Sequence, residues 1–417
     1  MNSTEVLLDC LSFAEDPERR GRLGQVTEDV WYDVLDKCDY HRTGPYVYHR
    51  LKAWNVPLPI EVDHALKQKF FKAVYRSENL YFCLGAILSE FAKQGIPVVL
   101  LKGAYLAEAV YAERALRHMS DLDLLVKKED LDSSTQALMS IGYQLHKKRE
   151  DDAKEEHHAT YEKANSPLIE LHWGLAKSYI VQKVDMQGVW ERAQAVSIAG
   201  CPALTLCPED LVIYLCLHSA RHVISFTLQM LVDIGEIVRK WDGAIDWKKL
   251  TERARQWDLH RAVYTILYLS KDLLGATVPR RVLEDLYPSD YDADGIAFMR
   301  NRLMDYRKPI SQKPLNLKDS WDLITKLVAV SKENISLVYQ VPVESKKIWC
   351  YFPRYWLRAL RHRGRGLKKY LSNDASLKTY DDRIRLESYA VQNWLLKGRS
   401  SRINIDSVDA SQSKIEE

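Results

Sequence analysis

Residues 98–126 read VVLLKGAYLAEAVYAERALRHMSDLDLLV, and the alternation of apolar and polar elements in this stretch decides the fold. Ile96–Leu101 is short, apolar and branched, which predicts a buried strand. Lys102-Gly103 follows at a strand-to-helix junction, and a helix is expected from about Ala104 to Leu116. Asp121–Val126 predicts a second strand, with Leu122, Leu124 and Leu125 as its apolar content. Residues i and i+2 of a strand share a face, so Asp121 and Asp123 present two carboxylates side by side. Such a pair repels itself unless a cation sits between, and hard oxygen donors favour Mg²⁺ or Mn²⁺. Glu170, inside the apolar run Leu168–Trp173, is an acid where a charge is costly unless it has work to do. It is the candidate third carboxylate of a two-metal site. Lys102, with the backbone N–H groups at Gly103, could hold phosphate oxygens at the helix N-terminus, and Arg117 could reach the same anion. His172 is assigned to the opposite strand face from Glu170, in packing or support rather than catalysis.

Outward from this core the chain reads as helix on both sides. Residues 5–93 are helical in pattern, with Ile60–Lys93 as one long helix and Gly95 as its C-terminal cap. A helix around 129–140 stops at Gly142. Tyr143–His146, Ala159–Lys163 and Leu168–Trp173 each suit a further strand, with the polar stretch Lys147–His158 between the first two. From about Lys177 to Ser345 the pattern is almost wholly helical, with a linker-like Pro/Lys patch at Lys308–Pro314. The expected architecture is α+β. A helical region (1–93) precedes a small core (94–176), followed by a helical domain (177–345), a basic aromatic segment (346–397) and a disordered tail (398–417).

The combination of strand, Lys-Gly, helix, R-x-x-S-D-L-D-L-L-V and a later E-L-H-W strand carries a resemblance. The sequence resembles the nucleotidyltransferases of the polymerase-β superfamily, in particular a largely uncharacterised group with an LLKG motif before R-x-x-S-D-L-D-L-L-V. The likeness runs from about residue 30 to about 290 and takes in Gly95-Ile96-Pro97, the helical stretch with His218, His222 and Asp233, and Ile245-Asp246-Trp247. It implies a small polymerase-β-like mixed sheet with Asp121, Asp123 and Glu170 as metal ligands and catalytic acids. Lys102, Gly103, Arg117 and Ser120 form the candidate nucleotide-binding set. The turn departs from the superfamily's usual Gly-Ser or Gly-Gly, and Asp121 lies 18 residues after Gly103, a longer gap than usual. The implied activity is Mg²⁺- or Mn²⁺-dependent transfer of a nucleoside monophosphate from an NTP, such as ATP, to an acceptor hydroxyl. The acceptor is open among a small molecule, a glycan, a peptide and an RNA end. Two other readings stay open: a non-catalytic nucleotide-binding or scaffold protein, and an RNA-directed nucleotide-adding enzyme.

The charge is unevenly placed. The 417 residues carry 60 Lys+Arg against 57 Asp+Glu, a net +3, yet nine of the bases and no acid fall within 346–373. The remaining 51 bases against 57 acids leave the body at −6. Pro353 is placed to open a helix on which Arg354, Arg358, Arg361 and Arg365 form a stripe beside Phe352, Trp356 and Leu360. That pattern suits an anionic membrane surface, a nucleic acid backbone, or plain packing through the aromatic face. Acids near the start replace the basic region of a secretory signal, and no run approaches the length of a spanning helix. Seven scattered cysteines without a C-x-x-C pair fit reduced thiols, so a cytoplasmic location is expected, with peripheral membrane contact as the alternative. His218 and His222 share a helix face, but cleft lining or packing is favoured over zinc because no third ligand is evident. Asp290–Gly295 begins like a calcium loop, but Asn301 stands where the bidentate Glu is required, so an acidic turn is expected.

Overall fold

The computed structural model describes residues 1–146, 157–177, 180, 182–304, 344–345, 348–353 and 375–398. The Lys308–Pro314 patch, the arginine stripe after Pro353, most of the Lys147–His158 stretch and nearly all of the tail lie outside the described residues.

Five helices open the chain: α1 (Ser3–Leu11), α2 (Arg19–Gly24), α3 (Glu28–His41), α4 (Gly44–Ala53) and α5 (Ile60–Lys93). Asn2 caps α1, accepting from the Thr4 and Glu5 N–H groups while Glu5 reaches back to the Asn2 N–H, so three first-turn donors are satisfied. In α5, Leu80, Leu84, Ile87, Leu88 and Phe91 are buried at helical spacing, as expected. Gly95 ends it at φ +68°, and the Ile96 N–H returns to the Phe91 carbonyl at 2.9 Å.

The quoted stretch then folds as strand, helix and strand. β1 (Val99–Leu100) leads through Leu101 into α6 (Lys102–Ala109), and β2 (Asp121–Leu125) runs back antiparallel to β1. The expected helix to Leu116 is shorter, with only a 3-10 turn at Arg114–Leu116 beyond it. After α7 (Leu131–Ser140) come β3 (Gln144–Leu145), β4 (His158–Glu162) and β5 (Leu168–His172). β5 pairs parallel with β2, in the register Asp123↔Glu170.

The region read as helical from Lys177 departs from expectation. After α8 (Met186–Glu191) it contributes β6 (Gln194–Ile198) and β7 (Cys201–Thr205), and β7 pairs parallel with β1. Ala199 and Gly200, at φ +52° and +73°, make the two-residue turn between them. The sheet therefore has seven strands in the order β3-β4-β5-β2-β1-β7-β6 and is mixed. The helices α9 (Pro208–Arg221), α10 (Leu228–Lys240), α11 (Trp247–Gln256), α12 (His260–Leu274), α13 (Arg280–Leu286) and α14 (Ala293–Met304) follow. This is an α+β fold whose apolar core runs from the N-terminal helices through the sheet to these later helices.

Two compact units are resolved, 1–306 with 387–417, and 307–386. All of the sheet belongs to the first. Within the second, Trp349 and Phe352 stack with ring centroids 4.9 Å apart on a helical turn at 348–353. No described helix is long and apolar enough to cross a membrane. All seven cysteines are free. Asp290 and Asp292 lie in the acidic stretch before α14, and Gly295 is already in its first turn: Asp292 accepts the Gly295 N–H, and Asp290 pairs with Arg261.

Candidate active site

Strand pairing alone brings the three acids together. Because β1 and β2 are antiparallel, with Leu100 opposite Leu124, the chain leaving β1 runs back toward the start of β2, and the Leu101 N–H bonds the Asp123 carbonyl at 3.1 Å. The next residue, Lys102, is thereby delivered to the Asp123 side chain, with Nζ 2.7 Å from Oδ1. Because β2 and β5 are parallel, Glu170 stands directly across from Asp123 on the same face. Asp121, Asp123 and Glu170 all line one cavity of about 330 Å³.

Burial makes the charges here expensive, and partners decide which survive. Burial alone would raise Asp123, which is 5% exposed, but the Lys102 ammonium and His172 outweigh it and hold the carboxyl well below its ordinary range. Burial and then repulsion from Asp123 push Asp121 upward, as expected of adjacent acids. A hydrogen bond from His172 draws Glu170 downward. Burial pulls Lys102 down, yet Asp123 raises it further, so the ammonium stays charged.

His172 corrects the sequence reading. Positions 170 and 172 differ by two and so share a strand face, and His172 Nε2 lies 3.3 Å from Asp123 Oδ1 and 3.4 Å from Glu170 Oε2. It belongs to the acidic cluster. Asp123, Glu170 and His172 offer donor atoms all within 4.8 Å of one another, a set of two carboxylates and one imidazole that fits a divalent cation. The buried ammonium of Lys102 beside Asp123 shows independently that this spot calls for positive charge.

The candidate nucleotide-binding residues are placed as follows. Gly103 is in the first turn of α6, and a Cβ there would meet Arg117 Nη1 at 3.1 Å and Met119 Sδ at 3.2 Å. Ser120 Oγ lies 3.4 Å from Asp121 Oδ1. Arg117 lines the cavity, but its guanidinium is committed to α10: Nε and Nη2 donate to the two Asp233 oxygens at 2.9 and 2.8 Å. The Tyr111 hydroxyl donates to Asp233 as well, at 2.6 Å. Arg117 thus ties the motif to the later helices, and Asp233 is the partner that sequence reasoning left unassigned.

The cavity is also lined by Tyr214, His218 and Arg221 of α9 and by His222, the C-cap of that helix. His218 and His222 lie with ring centroids 4.5 Å apart, and burial keeps both neutral, His222 down to about 4. Both rings line the cavity, the placement favoured for them from the sequence. Sequence reasoning also missed His157 and His158, which line the same cavity at the start of β4. Burial, with Arg221 and the neighbouring imidazoles, lowers His157 to about 2.

The chain matches the model of a family described as uncharacterised nucleotidyltransferases over residues 27–275. It belongs to that family. No curated protein matches it. Among solved structures, the solution structure of the antibiotic-resistance factor ANT(2'')-Ia is 11% identical with a TM-score of 0.32, over 46% of this chain and 96% of that one. The crystal structure of an antigenic nucleotidyltransferase-like protein from Paracoccidioides brasiliensis is 15% identical with a TM-score of 0.33, over 50% of this chain and 97% of that one.

Proposed function

We propose that this nucleotidyltransferase moves a nucleoside monophosphate from an NTP to an acceptor hydroxyl and releases pyrophosphate, with Mg²⁺ or Mn²⁺ held by Asp121, Asp123 and Glu170. The observation that carries the reading is the in-register placement of Asp123 and Glu170 on parallel strands, with Asp121 beside them at the wall of a 330 Å³ cavity. When bound, a divalent cation supplies charge neutralisation at the α-phosphoryl group and the acceptor oxygen. The acceptor hydroxyl gives its proton to a carboxylate of the acidic cluster as its oxygen bonds the α-phosphorus, and the bond to the bridging oxygen of the leaving pyrophosphate breaks.

The residues do the positioning. His172 orients Asp123 and Glu170 through its Nε2 and is itself fixed in the sheet. Lys102 has its charge on Asp123, so its service to a phosphate competes with that ion pair. Gly103, in the first turn of α6, lines the same cavity, and the N–H groups of a helix N-terminus suit phosphate oxygens. Arg117 contributes by holding the cavity wall to Asp233, and Ser120 by its hydroxyl beside Asp121. Preorganised charge in a closed site accounts for this kind of catalysis without covalent work by the protein.

The test is incubation of the full chain with each NTP, labelled either at the α- or the γ-phosphate, with Mg²⁺ or Mn²⁺ and cell extract as acceptor source. The proposal expects an acceptor labelled from the α-position only. Label appearing only from the γ-position would overturn it.

A further inference from the structure

Beside the carboxylates lies a second cluster, of different donor chemistry. His158 is the cross-strand partner of His172, so their side chains share the sheet face that carries Glu170. His157 precedes β4, and its carbonyl accepts the Trp173 N–H at 2.9 Å, which fixes the backbone next to β5. The three rings gather with centroid separations of 4.6 Å (157–158), 5.6 Å (157–172) and 5.0 Å (158–172). One nitrogen from each lies within 4.8 Å of the others.

Two of the three rings, His157 and His172, have nitrogens poorly served by the protein. His157 is 4% exposed, yet neither Nδ1 nor Nε2 has a hydrogen-bond partner. His172 is 3% exposed, and its Nδ1 is likewise without one, while its Nε2 faces Asp123 and Glu170. A buried imidazole left unsatisfied costs about 1–3 kcal/mol, so such a site has a reason to exist only if something fills it. A divalent metal that prefers imidazole nitrogen is a good occupant.

We propose that His157, His158 and His172 form a zinc site, separate in donor chemistry from the carboxylate site and joined to it through the His172 ring. Zinc–nitrogen bonds of about 2.0–2.1 Å in a tetrahedral centre place nitrogens about 3.4 Å apart, so ring rotations close the present cluster onto an ion. Three protein ligands leave a fourth position for water or for an oxygen of a bound molecule. All three histidines line the same cavity as the acids, which gives an ion an entry path. Hard oxygen donors take Mg²⁺ and imidazoles take Zn²⁺, so the two sites select different ions.

The test is metal binding by the full-length protein, stripped with a chelator and titrated with Zn²⁺, or with Co²⁺ as a visible reporter, in a large excess of Mg²⁺. This readout needs no transfer activity. The expected result is one tightly held equivalent of Zn²⁺, a Co²⁺ spectrum of low-coordinate imidazole type, and at least about tenfold weaker binding in His157→Ala. Asp121→Asn and His222→Ala should bind Zn²⁺ as the wild type does. If His157→Ala fails to fold, as judged by its thermal melt, His158→Gln removes a different donor and decides the matter. Zn²⁺ displaced by Mg²⁺, binding unchanged in the folded histidine variant, or binding lost in His222→Ala instead would overturn the proposal.

Discussion

Asp123 organises the site: Lys102 lies at 2.7 Å, His172 at 3.3 Å, and Glu170 stands directly across the strand pair. The three acids were legible in the sequence because an acid in an apolar strand is conspicuous and alternation fixes its face. The role of Lys102 was only half legible, since a lysine at a helix N-terminus suggests phosphate, whereas its pairing with Asp123 depends on β1 and β2 lying side by side. His172 is in the site because positions 170 and 172 share a strand face, which brings its Nε2 to Asp123 and Glu170 rather than into the opposite layer. The partner of Arg117 lay 116 positions away and no local pattern announced it. This pair makes its own prediction. Both members are buried and bidentate, so Asp233→Ala leaves a guanidinium and the Tyr111 hydroxyl without their acceptor. A loss of about 3–5 kcal/mol is expected in denaturant unfolding, and a loss under 1 kcal/mol would mean that the ion pair does not hold the motif to α10.

At the scale of elements, β1 and β2 are the frame and the surrounding helices are its clamps. The strand–helix–strand unit was readable because its apolar runs are short and bounded by Lys-Gly and Ser-Asp. β6 and β7 were not. The hairpin is half exposed, its turn is Ala199-Gly200 rather than a strong signal such as Asn-Gly, and β7 pairs with β1, a strand 105 positions earlier in the register Val99↔Leu204. Long-range pairing of that kind leaves no local trace. The clamp between the first and later helices is tight at one point: a Cβ on Gly235 of α10 would fall 2.0 Å from the Phe13 ring. The Phe13 N–H also bonds the Leu274 carbonyl, so that ring has little room to move. Gly235→Ala is therefore expected to lose about 1–3 kcal/mol or more by overpacking. A melting temperature equal to that of the wild type would show that the N-terminal segment yields freely.

For the whole molecule, near-neutral charge is the sum of an acidic body and a basic segment, and the body's own cavity repeats the contrast, with the acids of β2 and β5 sharing one lining with Lys102 and Arg221. Buried neutral histidines also set an acid limit on the fold. Burial lowers His41 from 6.5 to about 3, and its Nδ1 accepts the Leu228 N–H at 3.2 Å, joining α3 to α10. Below pH 6.5 the unfolded chain takes a proton that folded His41 refuses. The stability this group contributes is thus full above that pH and is lost as pH falls toward 3, by about 1.4 kcal/mol per unit. His41→Asn, which keeps an acceptor for Leu228, should melt with a shallower decline between pH 6.5 and 4, and an identical decline would contradict this account. The central claim concerns the acids. The most direct measurement is the rate at which label from an α-labelled NTP reaches acceptor with the wild type and with folded Asp123→Asn, using Asp121→Asn as a second variant. The account predicts a loss of at least about a hundredfold in each; transfer by Asp123→Asn at the wild-type rate would contradict it.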